Sequence, residues 1–133
     1  MKKIIAIAFL ALAFGTKAQS IQAGSGSNSA KVKSNGEIEI GGSTKGYIKS
    51  DGTIENSSHS TIGYIKSDGT IENSSHSTAG YVKSDGTIEN SSHSTIGYIK
   101  SNNAVENSSH SSIGNTGGAP MTWAAVAFFF FKQ

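Results

Sequence analysis

Four histidines, His59, His76, His93 and His110, recur every seventeen residues along the 133-residue chain. Imidazoles brought to one level of a ring are the ligands of zinc and copper sites and the titrating groups of pH-responsive clusters. Against that, each His sits in a Ser-rich turn, where it can cap its own repeat by hydrogen bonding, and splayed repeats hold rim residues too far apart to share one ion. Asp51, Asp68 and Asp85 stand before glycines, as in calcium-binding repeats, but one carboxylate per repeat is far short of a calcium ligand set; a turn explains them. Tyr47, Tyr64, Tyr81 and Tyr98 form a column that could stack on sugar rings or pack against the neighbouring repeat. Asn56-Ser57-Ser58 and its copies at Asn73, Asn90 and Asn107 match the glycosylation sequon and make equally good turns. Glu55, Glu72, Glu89 and Glu106 pair with lysines across the repeat as solvated ion pairs. Nucleophilic catalysis needs one serine beside a base and an orienting carboxylate, and no serine is singled out. No catalytic, cofactor-binding or metal-binding residue is expected, and the protein is read as not an enzyme.

The elements that must position these columns come from one unit, GYIKSDGTIENSSHSTI, written almost verbatim four times from Gly46 to Ile113, with a degenerate copy at Ala30 to Lys45. Tyr47-Ile48-Lys49 and Thr53-Ile54-Glu55 alternate around Ser50-Asp51-Gly52, which reads as a β-hairpin. A two-residue loop would pair Ile48 with Glu55. A three-residue loop pairs Ile48 with Ile54, and it puts glycine at the left-handed position of a G1 bulge. Gly36, Gly52, Gly69 and Gly86 all fall there, with Asn103 in the last copy, so the three-residue register is expected. The other glycines, Gly46, Gly63, Gly80, Gly97 and Gly114, mark close backbone approach or a positive φ between units.

Read as layers, Val32, Ile48, Ile65, Val82 and Ile99 form one apolar column, and Ile38, Ile54, Ile71, Ile88 and Val105 a second. A third, Ile62, Ala79, Ile96 and Ile113, is incomplete because Lys45 stands at its first position. One hairpin is marginal in water; five must share a core. The segment Pro120 to Phe131 is apolar on every side and follows a Gly-rich stretch. A helix of that kind must be buried all round, with Pro120 in its first turn. Four consecutive Phe also suit a buried strand; the central helix is preferred.

Residues 1–18 carry a positive start at Lys2 and Lys3, an apolar run from Ile4 to Phe14 and small residues, Thr16 and Ala18, at the −3 and −1 positions of a cleavage site, the pattern of a secretory signal. That run is too short to span a bilayer. Cleavage after Ala18 leaves 8 Lys against 9 acidic residues and no Arg, a net charge of about −1, so the basic patch that nucleic-acid binding needs is missing. With no cysteine, stability must come from backbone pairing and the repeated core rather than from disulfides.

The recurring unit, the count of five copies and the Trp123-Ala-Ala-Val-Ala-Phe-Phe-Phe-Phe131 ending together resemble the five-fold β-flower family of small exported bacterial proteins, chiefly of Bacteroidetes. The resemblance covers roughly residues 30–131. It implies hairpin petals around a C-terminal segment and brings no catalytic or ligand residues. The first copy departs from the repeat, with Ile40-Gly41-Gly42 in place of Asn-Ser-Ser and no His.

The expected organisation is a signal peptide at 1–18, a disordered linker at 19–29, five β-hairpin repeats at 30–114, and a Gly-rich linker with hydrophobic plug at 115–133. The fold class is mainly β, five hairpins in pseudo-five-fold arrangement around a buried C-terminal helix. The expected function is that of an exported structural or interaction protein, periplasmic or secreted, without a transmembrane anchor once the signal is removed. The alternative is a carbohydrate- or cell-envelope-binding module using the tyrosine column, so the candidate partners are an envelope glycan or a protein.

Overall fold

Each Ser-Asp-Gly loop closes its hairpin with its own groups. Lys49 N–H donates to Thr53 O at 2.8 Å, Gly52 N–H to Lys49 O at 2.9 Å, and Thr53 N–H to the Asp51 carboxylate at 3.0 Å. Gly52 has φ 93°, and Gly36, Gly69, Gly86 and Asn103 are likewise left-handed. The strands then pair Ile48 with Ile54 and Tyr47 with Glu55, the register expected for a three-residue loop. Gly52 O also accepts the N–H of Ile65 in the next repeat at 2.8 Å, so the turn stitches neighbouring repeats together. A Cβ on Gly52 would stand 2.5 Å from that Ile65 oxygen, which makes glycine doubly required there.

The second loop of each repeat works differently. The Asn56 side-chain oxygen accepts Ser58 N–H at 2.9 Å and Ser60 N–H at 3.0 Å, and His59 takes the left-handed position with φ 67°. The first repeat has one residue fewer here. Gly41 and Gly42, with φ 64° and 86°, form a two-residue turn between paired Ile40 and Ser43, a use of two positive-φ residues that suits the sheet's twist.

A computed structural model describes residues 30–131. The expected signal segment and linker, residues 1–29, lie outside the described residues, as do residues 132 and 133. Eleven antiparallel strands follow in chain order: β1 (Ala30–Val32), β2 (Glu37–Ile40), β3 (Ser43–Ile48), β4 (Thr53–Asn56), β5 (Thr61–Ile65), β6 (Thr70–Asn73), β7 (Thr78–Val82), β8 (Thr87–Asn90), β9 (Thr95–Ile99), β10 (Ala104–Asn107) and β11 (Ser112–Asn115). Each pairs with the next in one sheet. A bulge interrupts β2–β3, β4–β5, β6–β7, β8–β9 and β10–β11. The extra residue is the one before the linking glycine, so the third apolar column is a bulge column. Bulges bend strands and increase twist, and five of them curl the meander into a nearly closed, barrel-like sheet. A cleft of about 600 Å³ lined by residues of both β1 and β11 marks the seam.

The barrel is filled by the tail, α1 (Met121–Ala125) running into a π-helical turn at Val126–Phe130. No helix of the described residues is long and apolar enough to cross a membrane. Ala124 N–H donates to Pro120 O at 3.0 Å and Phe131 N–H to Val126 O at 2.7 Å. Pro120 is the residue before the helix rather than its first residue, one position outside the place expected for it. The strand alternative fails for a physical reason: a segment inside a curled sheet meets side chains, not a free edge, and must satisfy its own backbone groups. A ten-residue rod of about 15 Å matches strands of four or five residues rising about 16 Å.

Ile38, Ile54, Ile71, Ile88 and Val105 are fully buried, and so are Ala124, Ala125, Val126 and Phe130. Four of the five linking glycines, expected to mark close approach, face the four phenylalanines one to one. A Cβ on Gly114 would fall 2.5 Å from the Phe128 ring, one on Gly80 2.5 Å from Phe130, and one on Gly46 2.5 Å from Phe131, while Phe129 crowds Gly97 in the same way. Each of these four glycines opens a slot for one ring.

Candidate functional site

Strand alternation places the isoleucines inward and Tyr47, Lys49 and Glu55 outward. The loop that follows folds His59 back over them. The His59 and Tyr47 rings stack with centroids 4.4 Å apart and planes 11° apart, and His59 Nδ1 lies 3.0 Å from the Glu55 carboxylate. Lys49 Nζ reaches the other carboxylate oxygen at 3.7 Å. The same Tyr–Lys–Glu–His cluster recurs at Tyr64, Lys66, Glu72 and His76, at Tyr81, Lys83, Glu89 and His93, and at Tyr98, Lys100, Glu106 and His110. The first repeat keeps only charges there, with Lys33 3.0 Å from both Glu37 and Glu39.

The electrostatics follow from these contacts. The bond to His76 holds the Glu72 carboxyl below its ordinary value, with Lys66 adding to it, and His93 and Lys83 do the same for Glu89. Asp51, Asp68 and Asp85 are lowered by the backbone N–H groups of Thr53, Thr70 and Thr87 that they accept. A left-handed φ costs a non-glycine residue energy. All four histidines adopt one, and the stack and the carboxylate bond are what hold them there.

Contrary to the expectation that each histidine caps its own turn, the Asn side chains cap the turns and the imidazoles bond the glutamates instead. The tyrosines are not bare platforms, because one face of each lies under a histidine of the same repeat. The sequon asparagines have their side-chain oxygens committed to the turn. Among the described residues, no group of three or more His, Asp or Glu could hold a metal ion. The Tyr–His stack was legible only as two columns twelve residues apart, and a left-handed loop residue was the missing link.

Grooves run beside the clusters. One of about 320 Å³ is lined by Asp51 of one hairpin turn and by Tyr64, Lys66, Glu72 and His76 of the next repeat. A second, of about 510 Å³, holds the equivalent Tyr47, Lys49, Glu55 and His59 and is bounded also by Trp123. The arrangement supplies aromatic faces, paired charges and hydroxyls in open channels, which is chemistry for binding.

A sequence model of the family described as 5-fold beta-flower protein matches residues 18–132. No curated protein and no solved structure matches the chain.

Proposed function

The chain belongs to the 5-fold beta-flower family, and we propose that it serves as an exported, non-enzymatic structural or interaction protein with five hairpin petals around its C-terminal helix. Consecutive residues of an α-helix turn by about 100°, whereas a π-helical turn steps by roughly 80°, closer to the spacing of petals in a five-fold ring. Phe128, Phe129 and Phe130 meeting the successive glycines Gly114, Gly97 and Gly80 supports that arrangement.

The observation carrying the functional reading is the fourfold display of one Tyr–Lys–Glu–His cluster on the outer surface. Repeated identical sites suit multivalent contact, where weak sites combine through high effective concentration. Co-sedimentation with purified cell-wall sacculi and outer-membrane vesicles, using variants with His→Ala and Tyr→Ala in one, two or four clusters, tests it. Binding should fall steeply with the number of intact clusters. A four-cluster variant that sediments like the unaltered protein counts against the proposal.

The grooves favour a second reading, a glycan- or envelope-binding module. The tyrosine column contributes one wall of each groove and the Asp, Glu and Lys side chains supply hydrogen-bonding partners for hydroxyls.

A further inference from the structure

We propose that the groove around Trp123 is a binding site for an uncharged pyranose oligosaccharide, with the indole as its stacking surface. This rests on the glycan reading and relocates its principal site from the tyrosine column to the single feature that breaks the repeat.

Trp123 is the only tryptophan of the chain. It lies on α1 at the end of the barrel where the Ser-Asp-Gly turns gather, and it is half-buried while the residues after it are fully enclosed. The indole borders two channels. The first, of about 510 Å³, is shared with Asn35, Tyr47, Lys49, Glu55 and His59. The second, of about 350 Å³, is shared with Asp51, Lys66, Ser67 and Thr122. Both include Ser50, so they meet at one hairpin tip, and together they reach the size of small-molecule sites, about 300–1,000 Å³. The groove beside Tyr64 does not touch the indole but adjoins the second channel through Asp51, Lys66 and Ser67.

The chemistry selects the ligand class. A pyranose presents an apolar C–H face and a rim of hydroxyls. Trp123 and Tyr47 can take the face, since aromatic rings combine a large apolar surface with directional electrostatics. Asn35, Glu55, Asp51 and Ser67 can take the rim. The two lysines, Lys49 and Lys66, are balanced by the two carboxylates, so the channel favours neither an anionic nor a cationic polymer. The charged side chains on both walls and the open shape argue against a lipid tail.

The lone indole makes the test direct. Tryptophan fluorescence is titrated with chito-, cello- and malto-hexasaccharides, and calorimetry on the same solutions reads binding anywhere on the protein. A saturable fluorescence change is expected with at least one series. It should weaken at least about tenfold in Tyr47→Ala and in the milder Glu55→Gln, and stay as it was in Ser91→Ala, an exposed loop position, each variant checked by circular dichroism. Heat of binding without a fluorescence change overturns the Trp123 site and leaves the tyrosine column standing; a fluorescence change that Tyr47→Ala weakens no more than Ser91→Ala overturns the Trp123 site as well. The absence of any heat overturns both.

Discussion

Gly114→Ala isolates the contact between helix and barrel. The added Cβ would lie 2.5 and 2.7 Å from two atoms of the Phe128 ring, and its third neighbour, at 3.6 Å, belongs to the same ring. At Gly46, Gly80 and Gly97 a backbone carbonyl would be struck as well, so Gly114 gives the cleanest reading. Overpacking of a filled core costs about 1–3 kcal/mol. Gly→Ala at a compatible backbone returns about 0.4–1 kcal/mol by restricting the unfolded chain. The net loss should be about 1–2 kcal/mol, or roughly 5–15 °C in Tm for a domain of this size. Phe128→Leu alone should cost about 1–2 kcal/mol through lost packing, yet it clears the space the new methyl needs. The double variant should therefore be more stable than the sum of the singles by about 1 kcal/mol. Gly41→Ala is the control: nothing lies within 4 Å of its Cβ and its φ is 64°, so it should pay only the left-handed strain and show no coupling to Phe128→Leu. Urea unfolding followed by circular dichroism measures all of these. Additivity of Gly114→Ala with Phe128→Leu would refute the reasoning.

Removing residues 119–133 deletes four buried phenylalanines, each contributing about 1.5–3 kcal/mol, together comparable with the whole stability of a domain; the truncated chain should unfold or aggregate, and an unchanged circular dichroism spectrum would contradict this. Because Asp51, Asp68 and Asp85 are held below the ordinary Asp value of 3.8, they favour the folded state above that pH and lose this contribution as pH falls through their folded values. Asp68→Asn should preserve the turn, as Asn102 does when its side chain accepts Ala104 N–H at 3.1 Å, and should flatten the acid limb of a urea-midpoint against pH curve. His93→Val should be less stable than His93→Gly by more than about 1 kcal/mol, because a β-branched residue resists φ 67°; equal melting temperatures would count against the left-handed loop. Intact-mass measurement of the exported protein should place its first residue at Gln19, and a chain retaining Met1 would rule out the signal peptide.

The hairpins were legible because their determinants are local. Asp51-Gly52 dictates the turn, the turn dictates the register, and the pairing of Ile48 with Ile54 follows. The bulge column was visible as a third apolar row with Lys45 at its head, although nothing in the row announced that Ile62 would be an extra residue in its strand. The cluster was not legible. Its assembly depends on His59 adopting a conformation usually left to glycine or asparagine, and the energy that permits this comes from Tyr47 and Glu55 across the hairpin. The tail was legible as a buried segment but not as a π-helical turn, since that geometry answers to the positions of glycines contributed by four different repeats. The first repeat's shorter loop was legible as a departure, and its two consecutive positive-φ glycines explain why His is missing there.

The C-terminal segment fills the barrel by sending each of its four phenylalanine rings to the glycine of a different repeat. Nuclear Overhauser contacts between phenylalanine ring protons and glycine α-protons, in protein labelled at those residues, test this packing most directly. Four separate contacts are expected, Phe128 to Gly114, Phe129 to Gly97, Phe130 to Gly80 and Phe131 to Gly46. Rings that contact no glycine, or that contact them in another order, would contradict it.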